Sequence, residues 1–245
     1  MFVLCVYLNA MLKNPSLVIL YLFCLSGCVP HTIQSDYQRT ETVSLYKYLI
    51  YLPENYDANG MKRWPLIIYL HGKSACGSDL NKLKRYGIPF FIDRGMQFKA
   101  IVISPQCPGG KNWTTDNWFE SLFEELNTKY HIDSTRIYLT GMSMGGFGAW
   151  DLAIKYPKRF AAVVPFCGGG RPQKVCAIKD VPIWVFHGNE DKQVPIERSA
   201  EMVQALIKCG GSPKFTILRG QGHDIHRTYA DEKIYQWMYK QRFRY

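Results

Sequence analysis

LTGMSMGGFGAWDLA, residues 139–153, is the stretch that decides the fold. It sets one serine, Ser143, between Gly141 and Gly145, directly after an apolar run and before a helical pattern. A serine on a sharp turn from strand to helix needs glycines two residues away, because side chains there would clash with both elements. The N-terminus of the following helix favours negative charge beside the serine. The stretch predicts a turn that presents a nucleophile, and a Gly-rich turn with a bystander serine is the alternative.

Length, composition and charge limit the fold classes and the kinds of partner that are compatible with the chain. The 245 residues, 47% of them hydrophobic, suffice for one α/β domain with a large core, and no repeat or low-complexity linker divides them. The formal net charge is +10, but the basic residues are scattered among acidic ones, as in KLKRYG and KQRFRY. Such residues indicate solvated faces drawn to an anionic surface or polymer, and we expect no nucleic-acid partner.

Strand and helix patterns alternate along the chain. Thr42–Asp57 alternates apolar and polar residues and predicts an antiparallel opening strand or hairpin. Apolar runs predict further strands, the first three buried on both faces: WPLIIYLHG, AIVISPQC, TRIYLTG, RFAAVVPFCGGG, VPIWVFHG and KFTILRG. Helices are predicted over DLNKLKRYGIPFFIDRG, with a break near Pro89; over DNWFESLFEELNTKY, with Asp116 as N-cap; and over Met144–Tyr156, PIERSAEMVQALIKCGG and ADEKIYQWMYKQ.

This order of elements predicts the α/β class, with a mostly parallel, doubly wound sheet and antiparallel N-terminal strands. The carboxyl ends of parallel strands share one edge of such a sheet, and ligands bind at that edge. Ser143 follows one of these strand ends. The side chains that would act together with Ser143 should therefore lie after the carboxyl ends of the other parallel strands.

Two later strand ends carry candidates for a base and an acid. GQGHDIH offers His223 as general base, with His226 as the alternative. FHGNEDKQVP offers Asp191, with Glu190 as the alternative, as the carboxylate that would hold the imidazole in one tautomer. The chain order Ser, Asp, His is the one expected when the nucleophile stands on a strand-to-helix turn. His187 is interpreted as a packing or loop-bracing residue.

Two backbone N–H groups are needed to stabilise an oxyanion. Met144, directly after the serine, supplies the first. LHGKSACG supplies the second, with Lys73 as the candidate and Ser74 behind it, while the preceding His-Gly pair would shape the turn. Trp113, in GGKNWTTDNW, either walls a substrate pocket or is ordinary packing.

Several of these stretches together resemble the α/β-hydrolase superfamily, from about residue 43 to the end: YLHG, SPQCPGGKNW, RIYLTGMSMGGFGAWDLA, FCGGG, VPIWVFHGNEDKQVP and GQGHD. More narrowly, they resemble bacterial secreted esterases often labelled predicted peptidases, a group similar to the phospholipase/carboxylesterase and feruloyl or acetyl-xylan esterase families. The resemblance implies Ser143, Asp191 and His223 as a catalytic triad. It also implies an oxyanion hole made by the backbones of Met144 and Lys73, with no cofactor and no metal.

The activity that the resemblance implies is hydrolysis of a carboxylic ester of a small molecule or polysaccharide, with acetyl or feruloyl esters of carbohydrates as candidates. A serine peptidase with the same triad is one alternative. We expect an ester substrate because peptidase relatives usually add a substrate-gating domain, and none fits in this length. The other alternative is a non-catalytic surface lipoprotein that binds a ligand. Relatives often carry a Gly-Glu-Arg-Gly-like stretch where residues 73–77 read KSACG. This difference affects the side chains that a substrate would contact near the loop, but not the oxyanion hole, because the hole uses backbone N–H groups.

The N-terminal residues read as a leader. PSLVILYLFCLSGC is an apolar run too short for a comfortable membrane span, and its last four residues, Leu25–Cys28, resemble the lipobox of bacterial lipoproteins. We therefore expect a lipoprotein signal peptide at 1–27, a lipid anchor on Cys28, a tether at 28–41 and a catalytic domain at 42–245. Residues 1–10 carry no positive charge, so translation starting at Met11 is an option. The expected location is the bacterial cell envelope, membrane-anchored and facing the periplasm or exterior; an ordinary signal peptide or an uncleaved anchor is the alternative.

Five cysteines follow the leader: Cys76, Cys107, Cys167, Cys176 and Cys209. An exported protein meets an oxidising environment, so disulfides are expected. The pairs 167/176 and 76/107 are both candidates, and an odd number leaves at least one thiol free in a monomer. No paired CxxC spacing is present, so no zinc site is expected.

Overall fold

A computed structural model of the chain describes residues 34–37, by their backbone, and residues 45–243. Within these residues eight strands form one sheet: β1 Gln34–Tyr37, β2 Tyr48–Tyr51, β3 Trp64–Leu70, β4 Ile101–Pro105, β5 Ile132–Met142, β6 Ala162–Phe166, β7 Trp184–Gly188 and β8 Lys214–Leu218. The α-helices are α1 Gly87–Ile92, α2 Trp118–Lys129, α3 Met144–Lys155, α4 Glu197–Lys208 and α5 Glu232–Tyr239. Short 3-10 helices lie at Lys73–Ala75, Leu80–Arg85, Pro172–Ile178 and His226–Ala230.

The strand order is β1-β2-β4-β3-β5-β6-β7-β8. β1 pairs with β2, and β2 with β4, in the antiparallel sense, whereas the other neighbours are parallel. The predicted mostly parallel sheet with antiparallel N-terminal strands is thereby confirmed. Because β3 and β5–β8 run in the same direction, the loops that follow them lie along one edge of the sheet.

Residues before the domain are described only in part. The predicted signal peptide at 1–27 and Cys28 lie outside the described residues, whereas β1 lies within residues 28–41, predicted as a tether. No helix in the described part of the chain combines the length and the apolar character that a membrane span needs.

The central strands are buried on both faces of the sheet, as their unbroken apolar runs predict. In β3, Leu66, Ile68 and Leu70 pack with α2, α3 and α4 on one face. Ile67 and Tyr69 alternate with them and pack with α1 and α5 on the other face. The two helical layers leave the strand ends free to carry functional loops.

The predicted helix cap at Asp116 is wrong. α2 begins at Trp118 after Asn117, and no side chain caps its N-terminus. Asp116 has a left-handed backbone with φ of 64°, and its carboxylate accepts a hydrogen bond from Lys111 Nζ at 2.6 Å. The ion pair with Lys111 therefore replaces the expected bond to the first turn of the helix.

The disulfide also differs from expectation. Cys176 bonds to Cys209, with their Cα atoms 5.3 Å apart, so both candidate pairs, 167/176 and 76/107, are wrong. The 3-10 helix Pro172–Ile178 brings Cys176 to the C-terminal end of α4, where Cys209 lies. Cys76, Cys107 and Cys167 are free thiols.

Candidate active site

The loop between β5 and α3 forms a sharp turn around Ser143. Its backbone is left-handed, with φ of 58° and ψ of −120°, a conformation that costs a non-glycine residue about 1–3 kcal/mol. A Cβ on Gly145 would overlap the carbonyl of Leu70, and one on Gly141 would overlap the carbonyl of Gly145. The glycines therefore let α3 start directly against β3, and the hydroxyl of Ser143 is presented at the edge of the sheet.

His223 lies in the loop after β8 and reaches across to this serine. Its Nε2 is 2.8 Å from Ser143 Oγ, and its Nδ1 is 2.7 Å from Asp191 Oδ2. A carboxylate only accepts hydrogen bonds, so Nδ1 carries the proton and Nε2 is left to accept from the serine hydroxyl. This is the tautomer that a general base for Ser143 requires.

Asp191 lies in the loop after β7, and its carboxylate is completely buried. Its second oxygen, Oδ1, accepts hydrogen bonds from the backbone N–H groups of Gln193 and Val194, both at 2.9 Å. Burial acts to raise the pKa of Asp191, but the hydrogen bonds from Val194, His223 and Gln193 outweigh it and lower the pKa below its usual value. The carboxylate is therefore ionised at neutral pH.

The alternative base and acid do not join this chain of hydrogen bonds. His226 Nδ1 pairs with Asp224 Oδ1 at 2.5 Å, and its ring packs edge-on against Tyr86 and Phe90. Glu190 is exposed, and its backbone N–H bonds to the carbonyl of Gln221. The structure thus brings together Ser143, His223 and Asp191.

The two predicted oxyanion donors are the first residues of two helical turns. Met144 begins α3, and Lys73 begins the 3-10 helix that follows β3. The first N–H groups of a helix have no partner within it, and neither of these two donates to any group in the described part of the chain. Lys73 and Ser74 line the same cavity as Ser143. Both backbone donors are available to a ligand.

His71 braces the loop that carries Lys73. Its Nδ1–H donates to the carbonyl of Gly72 at 2.6 Å, and its Nε2 accepts from the backbone N–H of Cys107 at 2.9 Å. Burial lowers the pKa of His71 to about 4, against the opposing effect of the bond to Gly72, so the ring is neutral near pH 7. A neutral ring can donate at one nitrogen and accept at the other, as both bonds require.

Trp113 packs in the interior and does not line the cavity beside Ser143. Its side chain is 2% exposed, and its Nε1–H donates to the carbonyl of His71 at 3.0 Å. The absent side chain of Gly148 makes room for the indole ring, since a Cβ there would overlap it. The tryptophan therefore lies behind the His71 loop and supports it.

An open cavity of about 320 Å³ lies beside Ser143. Apolar side chains of Leu83, Tyr86 and Met142 form part of its lining, and Gln193 and Asp224 add polar groups. Larger grooves elsewhere in the described residues contain neither a member of the Ser143–His223–Asp191 group nor Lys73 or Met144, although one of them borders Trp113. The cavity beside Ser143 is therefore the one suited to a substrate.

One set of possible metal ligands lies in the described residues. The Sγ of Cys167 and the ligand atoms of Asp191 and His223 are all within 4.8 Å of one another. Burial raises the pKa of Cys167 to about 12, so its sulfur stays protonated, and a thiol is a poor metal ligand. Asp191 and His223 are bonded to each other. The group fits a proton relay better than a metal centre.

The chain is similar in sequence and in fold to known hydrolases. A sequence profile of the phospholipase/carboxylesterase family matches residues 112–240, a range that includes Ser143, Asp191 and His223. Among solved structures, a thermostable esterase has 30% sequence identity and a TM-score of 0.70, covering 86% of this chain and 63% of that one. Sequence and structure therefore point to the same group of hydrolases.

Three curated proteins are also similar. Poly(3-hydroxyalkanoate) depolymerase C of Paucimonas lemoignei is 27% identical over 135 residues, covering 49% of this chain and 30% of that protein. Probable feruloyl esterase C of Aspergillus niger is 25% identical over 184 residues, covering 71% of this chain and 66% of that protein. Probable dipeptidyl-peptidase 5 of Aspergillus terreus is 26% identical over 250 residues, covering 81% of this chain and 34% of that protein. The chain spans between about a third and two thirds of the length of these relatives.

Proposed function

Because this chain belongs to the phospholipase/carboxylesterase family of α/β-hydrolases, we propose that it is a serine esterase that works through an acyl-enzyme on Ser143. The observation that carries the proposal is the unbroken chain of hydrogen bonds from Ser143 to His223 to Asp191, at 2.8 and 2.7 Å. These are the distances that a nucleophile, its base and the carboxylate that orients the base require. Each residue follows a different strand, so local turn formation does not explain their meeting.

Acylation begins when His223 Nε2 takes the proton of Ser143 Oγ while Oγ attacks the ester carbonyl carbon. The negative charge that develops on the carbonyl oxygen is stabilised by the backbone N–H groups of Met144 and Lys73. His223 then passes the proton to the departing alcohol oxygen, and the carbon–oxygen bond of the ester breaks. Asp191 stabilises the transient imidazolium because its carboxylate is ionised and buried.

Deacylation repeats the sequence with water. Water gives a proton to His223 as its oxygen attacks the acyl carbon, and the same two N–H groups stabilise the second oxyanion. The proton returns to Ser143 Oγ as the acid leaves. No cofactor takes part in either half of the proposed reaction.

The substrate we propose is a short or aromatic acyl ester, with acetyl or feruloyl esters of carbohydrates as the leading candidates. A cavity of about 320 Å³ lies at the small end of ligand pockets and suits an acyl group of this size. Its open side leaves room for a bulky alcohol partner. The similarity to a probable feruloyl esterase supports the choice of acyl group.

A serine peptidase is the second candidate. The similarity to a probable dipeptidyl-peptidase favours it, and the same triad would attack an amide. A panel of 4-nitrophenyl acyl esters, acetylated and feruloylated oligosaccharides and short peptides separates the two. We expect ester cleavage; cleavage of peptides alone would contradict the esterase proposal.

The nucleophile is tested with a fluorophosphonate probe, which should label the wild type and fail to label Ser143→Ala. Ser74→Ala is the matched control, because it removes another serine hydroxyl from the same cavity and should still be labelled. Equal labelling of Ser143→Ala would show that a different residue attacks the probe.

We also propose that the chain is a lipoprotein of the bacterial cell envelope, anchored to the membrane through Cys28. The Leu-Ser-Gly-Cys sequence at 25–28 supports the proposal. In a bacterial host, radiolabelled palmitate should enter the wild type and not Cys28→Ala. Equal incorporation into both proteins would contradict the anchor.

A further inference from the structure

Two consecutive buried residues, Gln106 and Cys107, directly follow β4 and bond to residues 71–79, a segment named here the oxyanion loop. The backbone N–H of Cys107 donates to His71 Nε2, at the start of this loop, at 2.9 Å. The carbonyl of Cys107 accepts from the backbone N–H of Gly77, near the end of the loop, at 3.0 Å. The proposed mechanism assigns no role to Gln106.

The side chain of Gln106 holds the oxyanion loop at two further points. Its Nε2 lies 2.9 Å from the carbonyl oxygen of Ala75 and 2.7 Å from that of Asp79. An amide NH₂ group has two hydrogens, so one is donated to each carbonyl. The reversed amide would place Oε1 against two acceptors, and the contacts therefore fix its orientation.

The bond to Ala75 acts on the helical turn that presents the second oxyanion donor. Lys73–Ala75 is a 3-10 helix of three residues. So short a turn is not stable by itself, and its position depends on bonds to the rest of the protein. The carbonyl of its last residue, Ala75, has no partner within the turn. Gln106 thus bonds to one end of a turn whose other end carries the N–H of Lys73.

The bond to Asp79 connects the same amide to a packed element. Asp79 immediately precedes the 3-10 helix Leu80–Arg85. Two leucines of this helix pack with Ala75 and with Leu49 of β2 in a small cluster of buried side chains. Gln106 therefore joins the first turn of the oxyanion loop to the helix that follows it.

Packing alone does not favour a glutamine at this position. Gln106 Oε1 is buried and has no hydrogen-bond partner in the described part of the chain. An unpaired buried acceptor is unfavourable, and an apolar side chain of similar size would not introduce one. What glutamine adds over such a side chain is the pair of N–H donors to the oxyanion loop.

We propose that Gln106 is a positioning residue for the oxyanion hole, which holds the backbone N–H of Lys73 where the negative charge of the transition state develops. The inference rests on the proposed serine-esterase function. Lys73 and Ser143 line the cavity and Gln106 does not, so Gln106 acts through the loop without touching the substrate. Without its two donors the turn of Lys73 can shift, and a displaced donor stabilises the oxyanion less.

The kinetic test uses Gln106→Met, which keeps the length of the side chain and has no N–H. We expect kcat for 4-nitrophenyl acetate to fall about 10- to 100-fold with KM within about twofold, because the oxyanion forms only after the substrate has bound. Gln241→Met is the matched control, since it removes a glutamine whose Nε2 donates to the carbonyl of Trp237 at 3.1 Å. Its kcat should equal that of the wild type.

A second substrate separates a misplaced donor from a general loss of order. In the thionoester analogue of 4-nitrophenyl acetate, sulfur replaces the carbonyl oxygen and accepts hydrogen bonds weakly. Because its hydrolysis depends less on the oxyanion hole, the ratio of kcat/KM for the ester to that for the thionoester should fall at least about threefold in Gln106→Met. Gln241→Met should keep the wild-type ratio. Gln106→Asn, which is one methylene shorter, should lower the ratio by less and replaces Gln106→Met if that variant does not fold.

The outcomes distinguish this inference from the proposed function. A wild-type kcat, an unchanged ratio of ester to thionoester, or a rise in KM alone in the folded Gln106 variant would overturn the role of Gln106. The proposed function would stand in each case, provided that the fluorophosphonate probe labels Ser143 in the wild type. Failure of the probe to label the wild type would instead refute the proposed function.

Discussion

The carbonyl of Leu70, at the end of β3, occupies the space that a side chain on Gly145 would need. The first turn of α3 therefore packs directly against the strand that leads to Lys73. This contact fixes the turn around Ser143 and the loop with the second oxyanion donor relative to each other. The distance between the turn of Ser143 and the loop of Lys73 therefore depends on residue 145 being a glycine, which has no side chain.

Gly145→Ala should accordingly damage both stability and activity. The new methyl group meets a backbone oxygen that cannot rotate away, so we expect a loss of about 1–3 kcal/mol in the free energy of unfolding and at least a tenfold loss of kcat. Gly109→Ala is the control, because a Cβ there has open space around it. Urea denaturation and ester hydrolysis measure the two effects, and equal behaviour of the two variants would contradict the packing argument.

Asp191→Asn should keep the fold and lose most of the activity. An amide at this position no longer holds the Nδ1–H tautomer of His223, and comparable substitutions lower kcat by about ten-thousand-fold. Glu190→Gln alters the adjacent, exposed carboxylate and should stay within about twofold of the wild type. If Glu190→Gln were the more damaging change, Glu190 and not Asp191 would be the acid of the triad.

Trp113→Phe should lower kcat although Trp113 does not line the substrate cavity. The change removes the hydrogen bond to the buried carbonyl of His71, at a cost of about 1–3 kcal/mol, and loosens the loop that carries Lys73. Trp150→Phe is the matched control because the buried Nε1 of Trp150 has no hydrogen-bond partner to lose among the described residues. We expect kcat to fall in Trp113→Phe with KM little changed; a change in KM alone would indicate direct substrate contact.

Stability should depend on pH through His71. Its pKa is about 4 in the folded protein, whereas an unperturbed histidine has a pKa of 6.5. Between these values the unfolded chain binds more protons, so the free energy of unfolding should fall by about 3 kcal/mol as the pH drops from about 6.5 to 4. Urea denaturation at a series of pH values should give a shallower slope for His71→Gln, and an unchanged slope would contradict the burial of a neutral ring.

The Cys176–Cys209 disulfide should stabilise the domain without contributing to the chemistry. It closes a loop with a sequence separation of 33, for which the entropic gain is about 3–4 kcal/mol. Cys176→Ser should lose that stability in urea denaturation and keep its specific activity at low temperature. Cys76→Ser, at a free thiol, should change stability little, and reductant should affect the wild type but not Cys176→Ser.

Much of the fold and the candidate site could be predicted because both depend on strand ends. Apolar runs mark the parallel strands, and the residues that follow them must meet at one edge of the sheet. Ser143 stands directly after such a run, and Asp191 and His223 lie in the loops that follow two others, so their hydrogen-bonded grouping follows from topology. The glycines at 141 and 145 add the local geometry that the turn demands.

Other features depend on contacts that no run of sequence reveals. Trp113 lies behind the loop of His71 because Gly148 leaves space for its ring, and nothing in the local pattern indicates that neighbour. Cys176 bonds to Cys209 rather than to Cys167, which is nearer in the sequence, because Cys176 lies on a 3-10 helix that places it at the C-terminal end of α4. The position of His187 at a strand end indicates a loop-bracing role, but its contact with Asp191 requires knowing where the chain turns between them.

The central claim is an acyl group carried on Ser143. The most direct measurement is an acid quench of the wild type during turnover of 4-nitrophenyl acetate, followed by proteolysis and mass spectrometry of the peptides. We predict an acetyl group on the peptide that contains residues 139–153, assigned to Ser143 by fragmentation. Acetyl groups found only on another residue, or turnover with no covalent intermediate in the wild type or in a deacylation-slowed variant, would contradict the claim.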